Sequence, residues 1–488
     1  MTSTTETYQE SWTCNPDFKH WPEVLKANQE NRTDLFNILG APLCQQIREE
    51  VIEATERYTA ELRSIAQEVG ISVAEHVSER CSDGNSLLIM SGHQPVVYHH
   101  GLLAKARAHQ NVVQATQAYG VHVVIDTDCG DSGELVWPAR ANDAIELARG
   151  TITEPTDQIF RQHTLVNSKE LLACSEQIQR ALINLGLEEE ADRAARALAL
   201  YERLAGRSVL HAHTIVRWAL QGFVMPEVPL SSLFRLDGFR HVLKQFCAEP
   251  RQVVRCYNTT LDEYRESHDI SNKANPFPNL IDDAGEFELP LWRIEDGKRK
   301  SCKVLEKQQQ PLSGEIVSRG SITTLFLRAF CCDLFVHGIG GGKYDRFVDE
   351  FAENLWGVKL PRFVIASATR YIAPERLNDL ERASIYASQR KEITARPQSF
   401  FHVGMFTRNE EEMIADLDTQ RGSIRQALAE CSTAEQRSPL LHKLNRLNKD
   451  MSEIIGCSGF GDLFRNKTKL ERELKVWQTR SFPFFMVR

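Results

Sequence analysis

Histidine is the residue type whose placement first suggests chemistry. SGHQPVVYHHG, residues 91–101, gathers His93, Gln94, His99 and His100 into one short stretch ahead of a helix-length segment. Imidazoles at a helix start donate hydrogen bonds to phosphate oxygens and add to the positive end of the helix dipole. These four residues are the catalytic candidates, each weighed against an ordinary hydrogen-bonded turn residue. Lys105, about one turn further on, is read first as an exposed helical lysine and second as a ligand of the same phosphate.

Two further stretches carry charge or glycine in useful patterns. DTDCGDSGE brings Asp126, Asp128, Asp131 and Glu134 together. Carboxylates this close repel one another unless they share a cation, so the loop is a candidate for Mg²⁺ or for the ammonium of an amino-acid substrate, a solvated acidic loop being the alternative. Its spacing is not an EF-hand, no metal-ligand set is assigned, and Cys129 alone is no sign of a nucleophile. HGIGGGKYD begins at His337, and Gly340, Gly341 and Gly342 would let backbone amides approach phosphate or carboxylate while Lys343 adds charge. It matches neither a Walker motif nor GxGxxG. Tyr257, Asn258, Arg265 and His268 form a polar cluster suited to closing over a pocket, with Asn258 and Arg265 as substrate contacts.

Those residues need elements to hold them. LLIM and VHVVI are short apolar runs separated by a segment of helical length closed by Gly120, which reads as strand, helix, strand. In doubly wound sheets ligands gather beyond the carboxyl ends of such strands, where the histidine and acidic turns would lie. SITTLFLRAF, LFVHG, a turn at IGGGK, a helix to Gly357 and PRFVIAS restore the α/β rhythm, so one sheet is expected from two separated stretches.

The division expected is a helical lead-in over 1–80, the first half of the core over 81–140 opening on the loop CSDGNS, and a mainly helical insertion over 141–285. The second half follows over 286–375, beginning with a hairpin turned at Asp296-Gly297, and a C-terminal helical pair and tail fill 376–488. In the tail Met413, Leu417, Ile424 and Ala427 follow a Thr407 to Glu410 capping box, and Leu440, Leu444, Leu447, Met451 and Ile454 keep four-three spacing. A short antiparallel helix pair is expected, packed within the chain or in a homodimer.

Bulk properties narrow the class. A chain of 488 residues exceeds one compact core, and its formal charge of -8 argues against a nucleic-acid surface as its main business. Twelve cysteines are scattered without a CxxC pair, and MTSTTETYQESWT lacks a basic start and an apolar core, so reduced thiols in a cytoplasmic protein are expected. Arg328 and Asp333 interrupt the longest apolar segment, so no membrane span is expected.

Taken in chain order, these stretches resemble the bacillithiol synthase family. SGHQPVVYHHGLLAK is similar to that family's strand-to-helix turn, and VVIDTDCGDSGEL to its acidic strand end. LPLWRIEDGKRKSCKV, SRGSITTLFLRAF, LFVHGIGGGKYD and LPRFVIASAT resemble its hairpin, the polar helix that follows, its glycine turn and its closing segment. The resemblance implies a Rossmann-like core related to class I aminoacyl-tRNA synthetases and pantothenate-synthetase-like ligases, with helical insertions and a C-terminal coiled coil supporting a dimer. It implies a reaction joining cysteine to the amine of an amino-sugar acceptor. ATP with Mg²⁺ is the expected activating reagent, since an ionised carboxylate is a poor electrophile until it carries a leaving group. Departures bear on specificity: His93 stands where the family has glutamine, Cys129-Gly130 where it has an acidic residue and histidine, and HGIGGGK where it has VGGPGE. Nucleotidyl transfer without ligation and a non-catalytic metabolite-binding scaffold stay open beside the ligase.

Overall fold

The apolar runs do become strands, and their two faces go to two different cores. The computed structural model describes residues 10–30, 32–75, 87–142, 144–283, 285–305, 314–395, 408–455 and 467–487. The loop expected at 81–86 and Thr407 of the capping box lie outside these. In chain order the strands are β1 (Ser11–Asn15), β2 (Leu88–His93), β3 (Tyr119–Val124), β4 (Glu134–Ala141), β5 (Ala144–Thr151) and β6 (Glu227–Pro229). They continue with β7 (Asp282–Asp283), β8 (Glu286–Glu295), β9 (Lys298–Leu305), β10 (Glu315–Ser318), β11 (Leu334–His337) and β12 (Phe363–Thr369).

Six of these form the central sheet in the order β1-β12-β11-β2-β3-β6, parallel except for β1, which runs antiparallel to β12. From β2 the chain steps outward through β3 to β6, then returns to the other side of β2 with β11 and steps outward again to β12. The strand order therefore reverses between β2 and β11. Leu88, Met90, Val121, Val123 and Phe335 pack into one core with Phe326, Phe347 and Phe351, while Ile89, Leu334, Val336, Val364 and Ala366 pack into another with Trp21, Val24 and Val112. Covering both faces is what makes these strands read as continuous apolar runs rather than as alternating ones.

The crossover from β2 to β3 is the helix His100–Thr116, stopped by Gln117 in the left-handed region at φ 55°. The β4–β5 hairpin and the helices Ser168–Ile183, Glu188–Glu202 and Val209–Gln221 build a third core around Trp137 and Trp218. β8 and β9 form the expected hairpin, with Asp296 at φ 51° and Gly297 at φ 72°, the paired positive φ values of a two-residue type I′ turn. Among the described residues no helix is long and apolar enough to cross a membrane.

Three expectations change. Ser11–Asn15, taken as polar lead-in, is an edge strand, and a five-residue run of SWTCN is too short and too polar to announce itself. The glycines expected to form a turn lie in the first turn of the helix Ile339–Trp356, with Gly338 as its N-cap and none of the three at positive φ. In the tail, the helices Arg408–Glu430 and Ala434–Ile455 pack as a pair, with Arg421 Nε donating to Asn448 Oδ1 at 2.7 Å. Ile424 is buried as expected, but at the start of the stripe Ile414 rather than Met413 faces inward, at 1 % against 48 % exposure.

Candidate functional site

A cavity of about 900 Å³ opens where the strand order reverses, beyond the carboxyl ends of β2, β3 and β11. The helices His100–Thr116 and Ile339–Trp356 both begin at its wall, so two positive helix ends meet one space. Gly101 allows the first of them to approach β12: a Cβ there would stand 2.9 Å from Ser367 Oγ and 3.0 Å from Ala368 O.

The histidines of the first turn take different parts. His93, the last residue of β2, shares its Nδ1 hydrogen with the carbonyl of Gln94 at 3.1 Å. A carbonyl only accepts, so the proton sits on Nδ1 and Nε2 is left as a base. Burial, reinforced by the charge of Lys105, lowers its pKa to about 3, so the ring is neutral at physiological pH. His99 is the helix N-cap, and its Nδ1 accepts from Gly101 N at 3.1 Å, which makes Nε2–H a free donor. Burial, then the charges of Arg480 and Lys105, holds it down at about 4. One wall thus presents a neutral base and a neutral donor. His100 points elsewhere: its Nε2 meets Glu10 Oε1 at 2.7 Å, and it does not line the cavity.

Lys105 is not the exposed lysine its helical position suggested. It is 2 % exposed, lines the cavity and donates from Nζ to Gly92 O at 2.7 Å. Burial, then the nearby Arg217, lowers its pKa to about 7.

Of the four acidic residues only Asp128 reaches the cavity. It accepts from Gln94 Nε2 at 3.1 Å and from Arg299 Nη1 at 2.7 Å. Asp126 is fully buried and takes Ser231 N at 2.9 Å and Ser231 Oγ at 2.5 Å, with burial pushing its pKa up. Asp131 folds its own loop by accepting from Gly133 N at 2.8 Å and Thr151 Oγ1 at 2.9 Å, and Glu134 pairs with Arg149 across the β4–β5 hairpin. These four carboxylates are therefore dispersed among separate partners. Among the described residues no group of three metal-ligating side chains exists, so these four carboxylates do not together build a Mg²⁺ cage.

At the second helix start, Gly340 and Gly341 line the cavity together with His337, whereas Gly342 and Lys343 do not. Gly342 is a packing glycine, since a Cβ would fall 2.5 Å from Ile365 Cδ1. Lys343 is exposed. His337 donates from Nε2 to Asp345 Oδ2 at 2.9 Å, and Asp345 also takes Arg328 Nη1 at 2.7 Å. Interaction with His337 first and then with Arg328 offsets burial and holds the Asp345 carboxyl at about 2.

Asn258 and Arg265, expected to touch substrate, organise the neighbouring loop. Asn258 exchanges hydrogen bonds with Leu280 O at 2.9 Å and Leu280 N at 2.8 Å, and Arg265 caps the carbonyls of Asn275, Lys273 and Phe277. Tyr257 does line the cavity, while His268 stacks on Tyr264 with ring centroids 4.1 Å apart. No protein-family model matches the chain, and no curated protein matches it.

The sequence reading missed the opposite wall. Trp292 on β8 lies under two guanidiniums, Arg319 at 4.0 Å and Arg299 at 5.1 Å from its ring. The β8–β9 hairpin that carries Trp292 and Arg299 was legible from Asp296-Gly297, but the meeting of Arg299 with Asp128 spans 171 residues and leaves no local trace. Arg480 and Ser481 come from the last residues of the chain, where no motif marks them.

Behind the first wall runs a buried hydrogen-bond chain whose polarity is fixed by its end. His109 Nε2 meets Ile89 O at 3.2 Å and so carries hydrogen, which leaves Nδ1 to accept from Ser91 Oγ at 2.8 Å. Ser91 Oγ in turn accepts from His122 Nδ1 at 2.9 Å, and His122 Nε2 accepts from Tyr98 OH at 2.9 Å. Tyr98 sets its ring edge-on to His93 with centroids 5.7 Å apart. The chain thereby fixes the ring against which the His93 imidazole packs.

Proposed function

We propose that this protein is an amide-forming ligase with a Rossmann-like core, joining an amino acid, plausibly cysteine, to the amine of an acceptor such as an amino sugar at the expense of ATP. The observation that carries the reading is the cavity at the strand-order reversal into which two helix N-termini open beside a neutral histidine base. The parallel strands alone run 3-2-1-4-5 when renumbered in chain order, which supports the Rossmann-like assignment.

The chemistry divides between the walls. The helix starts, Gly340, Gly341 and Lys105 suit the nucleotide phosphates, and His99 Nε2–H adds a donor. A carboxylate oxygen of the amino acid attacks phosphorus, forming an acyl–oxygen–phosphorus bond as the phosphorus–oxygen bond to the departing ADP or pyrophosphate breaks. The acceptor nitrogen then attacks the acyl carbon, the carbon–nitrogen bond forms, the carbon–oxygen bond breaks to release phosphate where ADP left first or AMP where pyrophosphate did, and the nitrogen's proton passes to His93 Nε2. Gln94 and Arg299 hold Asp128 in place to receive an ammonium group. Any Mg²⁺ would arrive with the nucleotide, and no step here depends on it. A cytoplasmic location suits the unpaired thiols among the described cysteines, and a homodimer through the tail helices suits their exposed Met413 and Leu441.

The test is product analysis by mass spectrometry of the full chain with ATP, pooled amino acids and amino-sugar acceptors. A new amide whose formation consumes ATP is expected, and its absence with every pairing would sink the ligase. His93→Ala should lower turnover by about 10²-fold or more with an unchanged thermal midpoint, since general-base catalysis contributes on that scale.

A further inference from the structure

The C-terminal segment behaves as part of the site rather than as a tail. After the helix Lys467–Trp477 the chain crosses to the first histidine turn, where His99 and Pro483 form an antiparallel bridge and Phe484 N donates to Tyr98 O at 2.8 Å. Phe482, Phe484, Phe485 and Met486 are buried in the third core, around Trp137 and Trp218, which fixes the segment at its far end. Between buried Trp477 and buried Phe482, Arg480 and Ser481 reach the cavity wall.

Charge at that wall is unbalanced. Four cations line the cavity: Lys105, Arg299, Arg319 and Arg480. Arg299 pairs with Asp128 at 2.7 Å and Arg319 with Glu288 at 2.5 Å. Among the described residues neither Lys105 nor Arg480 has a carboxylate partner, and Asp128 is the one carboxylate in the lining. Lys105 is almost wholly buried, and its Nζ donates to a backbone carbonyl, that of Gly92. A buried ammonium normally has a counter-ion. Among the described residues none faces Lys105, and an anion in the cavity would provide one.

We infer that the C-terminal segment completes the site and that Arg480, together with Lys105 and the Nε2–H of His99, holds an oxyanion of the substrate, either a phosphate or a carboxylate. The substrate class rests on the ligase reading; the residues rest on geometry alone. Because Arg480 is exposed, replacing it leaves the fold intact.

Isothermal titration calorimetry of the full chain with pyrophosphate, ATP and L-cysteine, each as a separate probe, tests this. Arg480→Ala should weaken one probe class by at least about tenfold, as expected for loss of a charge-assisted contact, and Arg480→Lys by less. Loss confined to pyrophosphate and ATP assigns the corner to phosphate, whereas loss confined to cysteine assigns it to the carboxylate. Arg472→Ala, exposed on the preceding helix, controls for net charge and should bind as the parent does. Parental affinity for all three probes in Arg480→Ala, equal losses in the Arg472 control, or no binding of any probe by the parent overturns the inference. A chain that binds pyrophosphate through Arg480 yet makes no amide keeps this inference and loses the ligase.

Discussion

Lys105 shows at the scale of one residue how a site trades stability for binding. Its buried ammonium gains one hydrogen bond to Gly92 O, worth about 1 kcal/mol net, against a cost of several kcal/mol for burying a charge without a partner. Lys105→Met keeps the length of the side chain and removes the charge. It should therefore raise the thermal midpoint of the ligand-free protein while weakening pyrophosphate binding by about tenfold or more. The pH dependence has a definite sign. The folded pKa, about 7, lies below the lysine's ordinary value of 10.5, so the unfolded chain binds more protons between those limits and stability rises with pH through that window. The advantage of Lys105→Met should then be full below pH 7 and shrink toward pH 10. Anion binding runs the other way, because only the protonated amine attracts it, so parental pyrophosphate affinity should fall as pH rises past 7. Calorimetric unfolding and titration across pH 6 to 10 check both slopes. A midpoint advantage that is flat with pH would show that Lys105 does not titrate in the fold.

At the scale of elements, the helix starts decide what the strands can present. Gly341 and Gly340 are neighbours in the same first turn with opposite surroundings. A Cβ on Gly341 would fall 2.6 Å from His337 Nδ1, and that ring is tethered to Asp345, whereas a Cβ on Gly340 meets nothing within 4 Å. Alanine in place of glycine gains up to about 1 kcal/mol of helix propensity. Gly340→Ala should thus be neutral or stabilising, and Gly341→Ala destabilising despite the same gain, because the clash breaks the imidazole–carboxylate bond. Urea midpoints of the pair read this directly, and equal midpoints would remove His337 from the argument. The same pair marks what the sequence could reveal. Strand, helix and hairpin identities were legible because β2, β3, β11, β12 and the β8–β9 hairpin each announce themselves within ten residues. The three glycines were visible, but not that they begin a helix, since glycine disfavours the interior conformation they adopt. Among site residues, His93, Gln94, His99, Asp128, His337 and the first two glycines sit at strand ends or helix starts and could be found from local pattern. His100, Asp131, Glu134, Asn258 and Arg265 have the same chemistry but partners elsewhere that absorb it, and partners are a tertiary fact. Arg299, Arg319 and Arg480 lie far along the chain from the turns they complete.

For the whole molecule, the decisive question is what holds β11 against β2, because the cavity exists only where those two strands adjoin. Asp333, just before β11, binds the first residue of β2 twice: its backbone N donates to Leu88 O at 2.7 Å, and its carboxylate accepts from Leu88 N at 2.7 Å. That carboxylate is 1 % exposed and also meets Arg48 Nη2 at 2.9 Å and Arg32 Nη1 at 3.0 Å, which arrive from two helices of the N-terminal lead-in. One buried anion therefore joins both halves of the sheet to the helices packed across them. Asp333→Asn preserves shape but removes the buried carboxylate charge that faces Arg48 and Arg32, which should cost about 3 to 5 kcal/mol. Arg32→Gln should cost less, because Arg32 is 22 % exposed and water recovers part of what it loses. Urea unfolding followed by tryptophan fluorescence and circular dichroism gives both differences. A cost below about 1 kcal/mol for Asp333→Asn would mean that apolar packing alone sets the register of these strands. The larger loss, with pyrophosphate affinity retained at low urea, would mean that the ion cluster stabilises the sheet junction without taking part in the chemistry above it.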